Sequence, residues 1–232
     1  SDVIRDRWSG RVVMSDPRFD TAGGHLGVMK HWWDTRLMPG FYDAWLLGLR
    51  DVGVRLLPGG DAAAVRAVLE GEADLALTDT DAVRAAQAAG GRIAMVYPRH
   101  AKDPGRGHGT LVIPSAVGLV AGGPNPEAGL ALVDFLLSPA AERILAESDA
   151  RSIPMHPELA GAYPDLDVPD PLAVDFAAAA AARGPALARA LRVVLGPAEG
   201  GDWPDAAPPA DAATGDQDAA VPGEAGVPGD AS

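Results

Sequence analysis

The sequence contains no cysteine among its 232 residues. Disulfide bonds, thiolate metal sites and cysteine nucleophiles are therefore excluded. No apolar run approaches the roughly 18 residues that a membrane-spanning helix needs, and no signal-peptide pattern is visible. Enzyme signatures are also lacking, since there is no Gly-x-Ser-x-Gly, no Walker loop, no His-Glu-x-x-His and no dinucleotide-binding fingerprint. These absences favour a protein that is not an enzyme.

Basic residues do not occur after Arg192, although acidic residues continue to the end. Eight acids in that stretch supply more than half of the formal net charge of −13. A chain with this much negative charge repels the phosphate backbone of nucleic acids, so nucleic-acid binding is not expected. Residues 196–232 consist largely of Ala, Pro, Gly and Asp with few large apolar side chains. The sequence predicts a disordered acidic tail there, because little surface is available for burial.

The remaining sequence alternates short apolar strands with helices. Strands are predicted at 11–14, 54–57, 73–77, 93–97, 111–113 and 116–121, and helices at 24–37, 41–51, 61–70, 79–89, 172–183 and 185–195. Two further helices are predicted to begin after Asn125 and Ser138, and Asp61 and Ser138 are interpreted as N-caps. The alternation indicates an α/β fold with a largely parallel sheet flanked by helices.

Several stretches, read in order, carry a family resemblance. They are Trp8-Ser-Gly-Arg-Val-Val-Met14, Asp16-Pro-Arg-Phe-Asp-Thr-Ala-Gly-Gly-His25, Leu69-Glu-Gly-Glu-Ala-Asp-Leu-Ala-Leu-Thr-Asp-Thr-Asp81, Gly109-Thr-Leu-Val-Ile-Pro-Ser-Ala-Val117, and Gly123-Pro-Asn-Pro-Glu-Ala128 continuing to Asp134-Phe-Leu-Leu-Ser-Pro139. Their order and spacing resemble the ferric-ion-type solute-binding proteins of ABC importers, which have a two-lobed, type II periplasmic-binding fold. The resemblance runs from about Trp8 to Leu159.

The resemblance implies a domain arrangement and a role. Residues 1–108 correspond to the second lobe, 109–195 to a returning segment with C-terminal helices, and 196–232 to the tail, while most of the first lobe has no counterpart. The implied function is extracytoplasmic capture of a small ligand, such as a ferric ion with an anion or a phosphonate, for ABC permease subunits in the membrane. Two alternatives stay open: a ligand-sensing module of the same fold, and a truncated relic that binds nothing.

One departure from the family concerns iron ligation. Ferric members of the family place two adjacent tyrosines just after the strand that corresponds to 73–77. Here that position reads Thr78-Asp79-Thr80-Asp81, and the tyrosines of this chain, Tyr42, Tyr97 and Tyr163, are not adjacent. Ligation of iron by such a phenolate pair is therefore excluded.

The first candidate binding loop follows the strand at 11–14. Ligands of α/β sheets sit beyond the carboxyl ends of strands. We expect the hydroxyl of Thr21 and the backbone N–H groups of Ala22, Gly23 and Gly24 to face an anion at a helix N-terminus. The alternative is an ordinary helix start with no ligand.

The second candidate loop is Thr78–Asp81. One carboxylate, Asp79 or Asp81, is expected to face a cation, either a hard metal ion or an ammonium group; the alternative is that it caps the next helix. Ser115 is expected either to reach the cleft or to belong to a structural hinge at Gly109-Thr110. A ferric ion with a synergistic anion, or an aminoalkylphosphonate, would use both loops.

Overall fold

The sheet lies at the centre of the part of the chain that carries the candidate loops. The computed structural model describes residues 2–19, 21–36, 39–100 and 108–196. Within them, three parallel strands pair in the order β2-β1-β3. The strands are β1 (Val12–Ser15), β2 (Arg55–Leu57) and β3 (Leu75–Leu77). The predicted α/β class with a parallel sheet is confirmed, whereas the predicted tail lies, except for Gly196, outside the described residues.

Helices surround this sheet and continue beyond it. In the described residues they are α1 (Ala22–Arg36), α2 (Phe41–Asp51), α3 (Gly60–Leu69), α4 (Thr80–Ala88), α5 (Pro126–Leu136), α6 (Pro139–Glu147) and α7 (Phe176–Val194), with short 3-10 helices at Asp2–Ile4, Asp6–Trp8 and Pro157–Leu159. Helix α6 begins as predicted, because the Ser138 hydroxyl accepts a hydrogen bond from the Ala141 N–H at 3.3 Å. No helix of the described residues is long and apolar enough to cross a bilayer.

The central strand β1 is buried on both faces. Val12 and Val13 are fully buried, as expected for a strand with neighbours on both edges and helices above and below. Helices α1, α2 and α7 cover one face, where Trp33 and Trp45 meet edge to face with ring centroids 5.8 Å apart. Helix α3 covers the other face, against Val13. Because β1 is buried on both faces, the position of its carboxyl end, from which the first candidate loop starts, is fixed by packing.

Helix α1 packs closely against α7 at a glycine. A Cβ atom at Gly27 would lie 2.8 Å from the carbonyl oxygen of Ala179 and 2.9 Å from the Cα of Arg183. Both neighbours are backbone atoms, so no rotamer change relieves the overlap. The absence of a side chain at Gly27 is therefore what lets the two helix backbones approach.

Some predicted elements differ in the structure. Residues 93–97, 111–113 and 116–121 are not assigned to strands, because an apolar, β-branched run forms a strand only where another strand is present to pair with it. The two helices predicted around Gly184-Pro185 are one continuous helix, α7, with Pro185 inside it. Packing of α7 on α1 and α2 outweighs the local preference of Gly and Pro for breaking a helix.

Candidate functional site

The carboxyl ends of the three strands meet at one edge of the sheet. Ser15, the last residue of β1, is in register with Leu57 of β2, and Met14 is in register with Leu77 of β3. The chain leaves this edge through three loops, which lead into α1, α3 and α4. Both candidate loops therefore lie at the edge where α/β proteins bind ligands.

Asp61, in the first turn of α3, connects these loops. Its carboxylate accepts hydrogen bonds of 3.2 Å from the hydroxyl of Ser15 and of 3.2 Å from the hydroxyl of Thr21. Its backbone carbonyl accepts a third, from the Thr78 hydroxyl at 3.4 Å. One buried residue thus holds the end of β1, the start of α1 and the end of β3 together.

The prediction that Asp61 is the N-cap of α3 is wrong. The N-cap is Gly59, which has a left-handed backbone with φ of 105° and no capping side chain. The Asp61 carboxylate is oriented instead towards the two hydroxyls of the neighbouring segments. Sequence reasoning missed Ser15 and Asp61 as site residues, although a polar pair, Ser15-Asp16, directly after a buried strand was a usable signal.

The first turn of α1 carries the predicted anion site. Ala22, Gly23 and Gly24 are the first residues of the helix, so their N–H groups precede the helical hydrogen-bonding pattern. A Cβ at Gly23 would lie 2.5 Å from the Pro17 carbonyl oxygen, whereas one at Gly24 would meet nothing within 4 Å. Gly23 is thus required by packing, while the space beside Gly24 is open.

A guanidinium lies next to this turn. A Cβ at Gly23 would be 3.4 Å from Nη2 of Arg183 on α7. Arg183 and Gly24 also line a shallow groove of about 150 Å³, together with Val28, Ile113 and Phe176. The start of α1 therefore combines the partial positive charge of a helix N-terminus with a nearby full positive charge.

An ion pair stiffens the loop between β1 and α1. Asp16 is buried, and its carboxylate accepts hydrogen bonds from the side chain of Arg18 at 2.9 Å and from the Arg18 backbone N–H at 3.0 Å. Burial acts to raise the pKa of Asp16, but the bonds from Arg18 outweigh it and hold this pKa below its usual value. The Asp16 N–H donates to the Leu57 carbonyl at 3.0 Å, which ties the loop to the end of β2.

The start of α4 carries the two predicted carboxylates. Asp79 is the N-cap, and its Oδ1 accepts the Ala82 N–H at 3.0 Å. Asp81 lies one residue inside the helix, where partial burial and then the neighbouring Asp79 carboxylate raise its pKa. The hydroxyl of Thr80 lies 3.5 Å from Oδ1 of Asp81. Asp79 therefore has a structural role as a cap, and the charged form of Asp81 is disfavoured by burial and Asp79 more than it is favoured by Thr80 and Arg84.

Ser115 lies apart from this hydrogen-bonded group. It is exposed, in the irregular stretch that follows Ile113, and Ile113 lines the groove beside Gly24. The structure thus places Ser115 two residues from that groove, and none of the hydrogen bonds observed among the described residues connects it to Asp61. Its role as a ligand contact stays a prediction.

A histidine pair lies where α1 meets the segment after residue 97. The rings of His25 and His100 are 5.7 Å apart, and Nδ1 of His100 lies 2.8 Å from the Gly109 carbonyl oxygen. Burial and the neighbouring His100 lower the pKa of His25 to about 3. Burial also lowers the pKa of His100, although the Gly109 carbonyl acts in the opposite direction. Both rings are therefore neutral at pH 7.

The described residues contain no ready-made metal centre. No group of three or more histidine, aspartate or glutamate side chains among them is arranged to hold a metal ion. The tyrosines are engaged elsewhere: Tyr42 donates to the Ala186 carbonyl, Tyr163 donates to Glu147, and Tyr97 accepts from an arginine.

The sequence matches the family of bacterial extracellular solute-binding proteins over residues 1–151. That match covers more than half of the chain and includes all three strands with the loops at their carboxyl ends. The chain therefore belongs to the bacterial extracellular solute-binding proteins, which bind ligands and are not enzymes. The resemblance predicted from the sequence is confirmed at this level.

A curated relative extends the comparison. The chain is 30% identical over 170 residues to Iron uptake protein A1 of Synechocystis sp. (strain ATCC 27184 / PCC 6803 / Kazusa). The alignment covers 69% of this chain and 43% of that protein, so the chain spans less than half the length of the relative. No solved structure matches the chain.

Proposed function

We propose that this chain is the extracytoplasmic solute-binding component of an ABC importer and that it holds a small charged ligand at the carboxyl edge of its sheet. The observation that carries the proposal is the position of Asp61, which bonds to both Thr21 and Thr78. It keeps the loop that starts α1 next to the loop that starts α4. A ligand at this edge therefore meets both predicted contact regions at once.

The α1 side is suited to an anion. The N–H groups of Ala22, Gly23 and Gly24 begin a helix, and the partial charge there favours an anion by about 0.3–1 kcal/mol when exposed. Arg183 adds a full positive charge beside Gly23. A Cβ at Gly24 would meet nothing within 4 Å, so no side chain fills the space beside it.

The α4 side is suited to a cation. Asp81 has a raised pKa because partial burial and Asp79 both disfavour its charged form. A bound cation would relieve that repulsion, so cation binding and ionisation of Asp81 would favour each other. Asp79 contributes its charge while remaining bonded to the helix start.

Two ligand chemistries satisfy both sides. One is a ferric ion with a synergistic anion such as carbonate or phosphate; the other is an aminoalkylphosphonate, which carries its phosphonate and its ammonium group on one molecule. The relative named for iron uptake supports the first. Asp79 and Asp81 would supply two carboxylates, and Ser115 is a further proposed contact, so a ferric ion would draw its other ligands from its anion or from a facing surface.

Capture of the ligand is the first step of the proposed transport. In an importer of this kind, ligand binding shifts the protein towards a closed state that the membrane permease recognises. We propose that this chain contributes one wall of such a closing site, on the extracytoplasmic side of the membrane.

The test is ligand-dependent stabilisation of the chain and of charge-removing variants. Ferric chloride with bicarbonate and 2-aminoethylphosphonate are the two probes. Asp79→Asn keeps a good capping residue and Asp81→Asn keeps the side-chain shape, so both remove charge alone. Asp51→Asn, at an exposed position at the end of α2, where the chain leads into the amino end of β2, is the matched control.

A bound probe raises the free energy of unfolding by about 2.7 kcal/mol at a hundredfold excess over Kd. We expect this shift for one probe in the unaltered chain and in the control, and a shift at least halved in both site variants. An equal shift in all four proteins would contradict the site, and no shift with either probe in the folded chain would contradict the ligand class.

A further inference from the structure

A groove lies between α1 and α7 at the start of α1. Its volume is about 150 Å³, and apart from Arg183 it is lined by glycine, alanine and larger apolar residues. Val28 of α1 and Ala179 of α7 are buried, whereas Ile113 is 41% exposed and Phe176 is 46% exposed. A concave apolar surface with one polar group is the usual form of a small-molecule site.

The side chain of Arg183 extends along α1 towards the start of that helix. A Cβ at Gly27 would lie 2.9 Å from the Cα of Arg183. A Cβ at Gly23 would lie 3.4 Å from Nη2 and 3.5 Å from Nε of the same residue. The guanidinium therefore lies one helical turn nearer to the start of α1 than the Cα that carries it. Glycine at both positions leaves room for this path.

The charge of Arg183 has no ionic partner in the described part of the chain, since none of the ion pairs observed there includes it. The guanidinium also lies beside the N-terminal end of α1, whose partial positive charge repels a cation. An anionic group at this point would be attracted by both charges. The position of Arg183 therefore favours an anion next to the apolar groove.

We infer that the groove is a subsite for an apolar group of the ligand and that Arg183 binds the acidic group of the same molecule. The ligand class is then a small organic acid with a single ring. This inference rests on the α1 side of the proposed function, where an anion binds, and adds that the anion carries a ring. Carbonate, phosphate and 2-aminoethylphosphonate would all leave the groove unfilled.

The size and shape of the groove support one ring. An apolar cavity of about 150 Å³ holds one benzene-sized molecule. Phe176 lines the groove, and an aromatic side chain packs edge to face or offset against a second ring. A Cβ at Gly24 would meet nothing within 4 Å, so the space beside this lining residue is free for a ligand.

The test is calorimetric titration of the full chain with benzoate. Acetate carries the charge without the ring, and benzyl alcohol carries the ring without the charge. We expect benzoate to bind at least about tenfold more tightly than either, because it gains both the apolar burial and the bond to Arg183. In heteronuclear NMR, benzoate should shift the amide signals of Gly24, Val28 and Ala180.

Two variants with matched controls locate the benzoate. Ala180→Leu places a larger side chain in the groove at an exposed position, and Ala181→Leu places it on the same helix outside the groove lining. Arg183→Gln removes the charge, and Arg192→Gln does so at an exposed position further along α7. We expect the two groove variants to weaken benzoate binding by about tenfold and the two controls to leave it unchanged.

Three results would overturn the inference. They are benzoate binding no tighter than acetate, equal benzoate affinity in Ala180→Leu and Ala181→Leu, and NMR shifts confined to residues outside the groove. If Ala180→Leu lowers the melting temperature strongly, the NMR shifts of the unaltered chain decide the question.

Failure of the proposed function has a different signature. 2-Aminoethylphosphonate has no ring, and its binding is tested through Asp79→Asn and Asp81→Asn. If it binds with the expected dependence on both carboxylates while benzoate does not bind, the groove inference alone is wrong. If benzoate binds in the groove while no ligand depends on either carboxylate, the α4 side of the proposed site is wrong.

Discussion

The hydroxyl of Thr21 donates a 3.2 Å hydrogen bond to Oδ2 of Asp61, a residue 40 positions further along the chain. The same carboxylate accepts from Ser15 through its other oxygen. The start of α1 is thereby fixed to the end of β1 and to the first turn of α3. The Thr21 hydroxyl, which was predicted to face an anion, thus donates its proton to Asp61. The backbone N–H groups of Ala22, Gly23 and Gly24 are the predicted anion donors that are not used in this bond.

Replacing Asp61 by Asn tests that dependence. The neutral amide offers one acceptor oxygen where the carboxylate offers two, so one of the two hydroxyls, that of Ser15 or of Thr21, loses the charged oxygen to which it donates. A lost bond at a buried position costs about 1–3 kcal/mol. We expect the free energy of unfolding in urea to fall by that amount in Asp61→Asn and to stay within about 0.5 kcal/mol in the exposed control Asp149→Asn. Equal stability of the two variants would show that Asp61 does not hold the loops.

Two glycines of α1 are predicted to respond in opposite directions. Gly27→Ala places a methyl group 2.8 Å from the Ala179 carbonyl oxygen, and such overpacking costs about 1–3 kcal/mol. Gly24→Ala meets open space and gains up to about 1 kcal/mol of helix propensity. Thermal unfolding should therefore show a lower melting temperature for the first and an unchanged or higher one for the second. The same direction of change in both would contradict the close contact of α1 with α7.

Acid is predicted to destabilise the fold through the His25–His100 pair. The pKa of His25 is lowered to about 3, whereas an unfolded histidine titrates near 6.5. Between those values the unfolded state binds a proton that the folded state does not, so stability falls as pH falls. The slope is at most about 1.4 kcal/mol per pH unit for His25, and His100, whose pKa is also lowered, adds in the same direction.

Urea unfolding at a series of pH values measures this slope. His25→Gln, which cannot be protonated, is expected to reduce it. His156→Gln serves as the control, since His156 is outside the pair, at the N-cap of the short 3-10 helix Pro157–Leu159. A slope identical in His25→Gln and in the unaltered chain would exclude His25 as its source.

As the solution is acidified, binding of a cationic group is predicted to weaken at a higher pH than it would with an aspartate of ordinary pKa. The pKa of Asp81 is raised, mainly by partial burial, and only the ionised form attracts a cation. As pH falls through this raised pKa, the carboxylate becomes neutral and affinity is lost. Calorimetric titration of 2-aminoethylphosphonate between pH 7 and pH 4 should show that loss, and Asp81→Asn should bind weakly throughout. The same pH profile in Asp81→Asn would assign the titration to another group.

The elements around the sheet were predictable because their signals are local. Apolar residues at helical spacing mark α2, and Ser138 followed by Pro139 marks the start of α6. The Asp79 side chain caps α4, as one of the two alternatives for that residue anticipated. Each of these features is determined by residues within a turn or two of one another.

The errors arose where distant segments decide the outcome. Asp61 has the local sequence of an N-cap, yet its carboxylate bonds to Ser15 and Thr21, which are 46 and 40 residues away along the chain. The run at 111–121 has strand composition, but no strand of the described residues pairs with it. The continuity of α7 through Pro185 depends on its packing against α1 and α2. Local propensity cannot supply such long-range contacts.

Hydrogen exchange of the folded chain with and without each probe tests the central claim most directly. A ligand held at the carboxyl edge slows exchange of the backbone N–H groups that it contacts or stabilises. With saturating ferric chloride and bicarbonate, or with 2-aminoethylphosphonate, we predict slower exchange in peptides covering 21–24 and 78–81 and no change in α5. A ligand that binds while both loops exchange at their original rates would contradict a binding site at this edge.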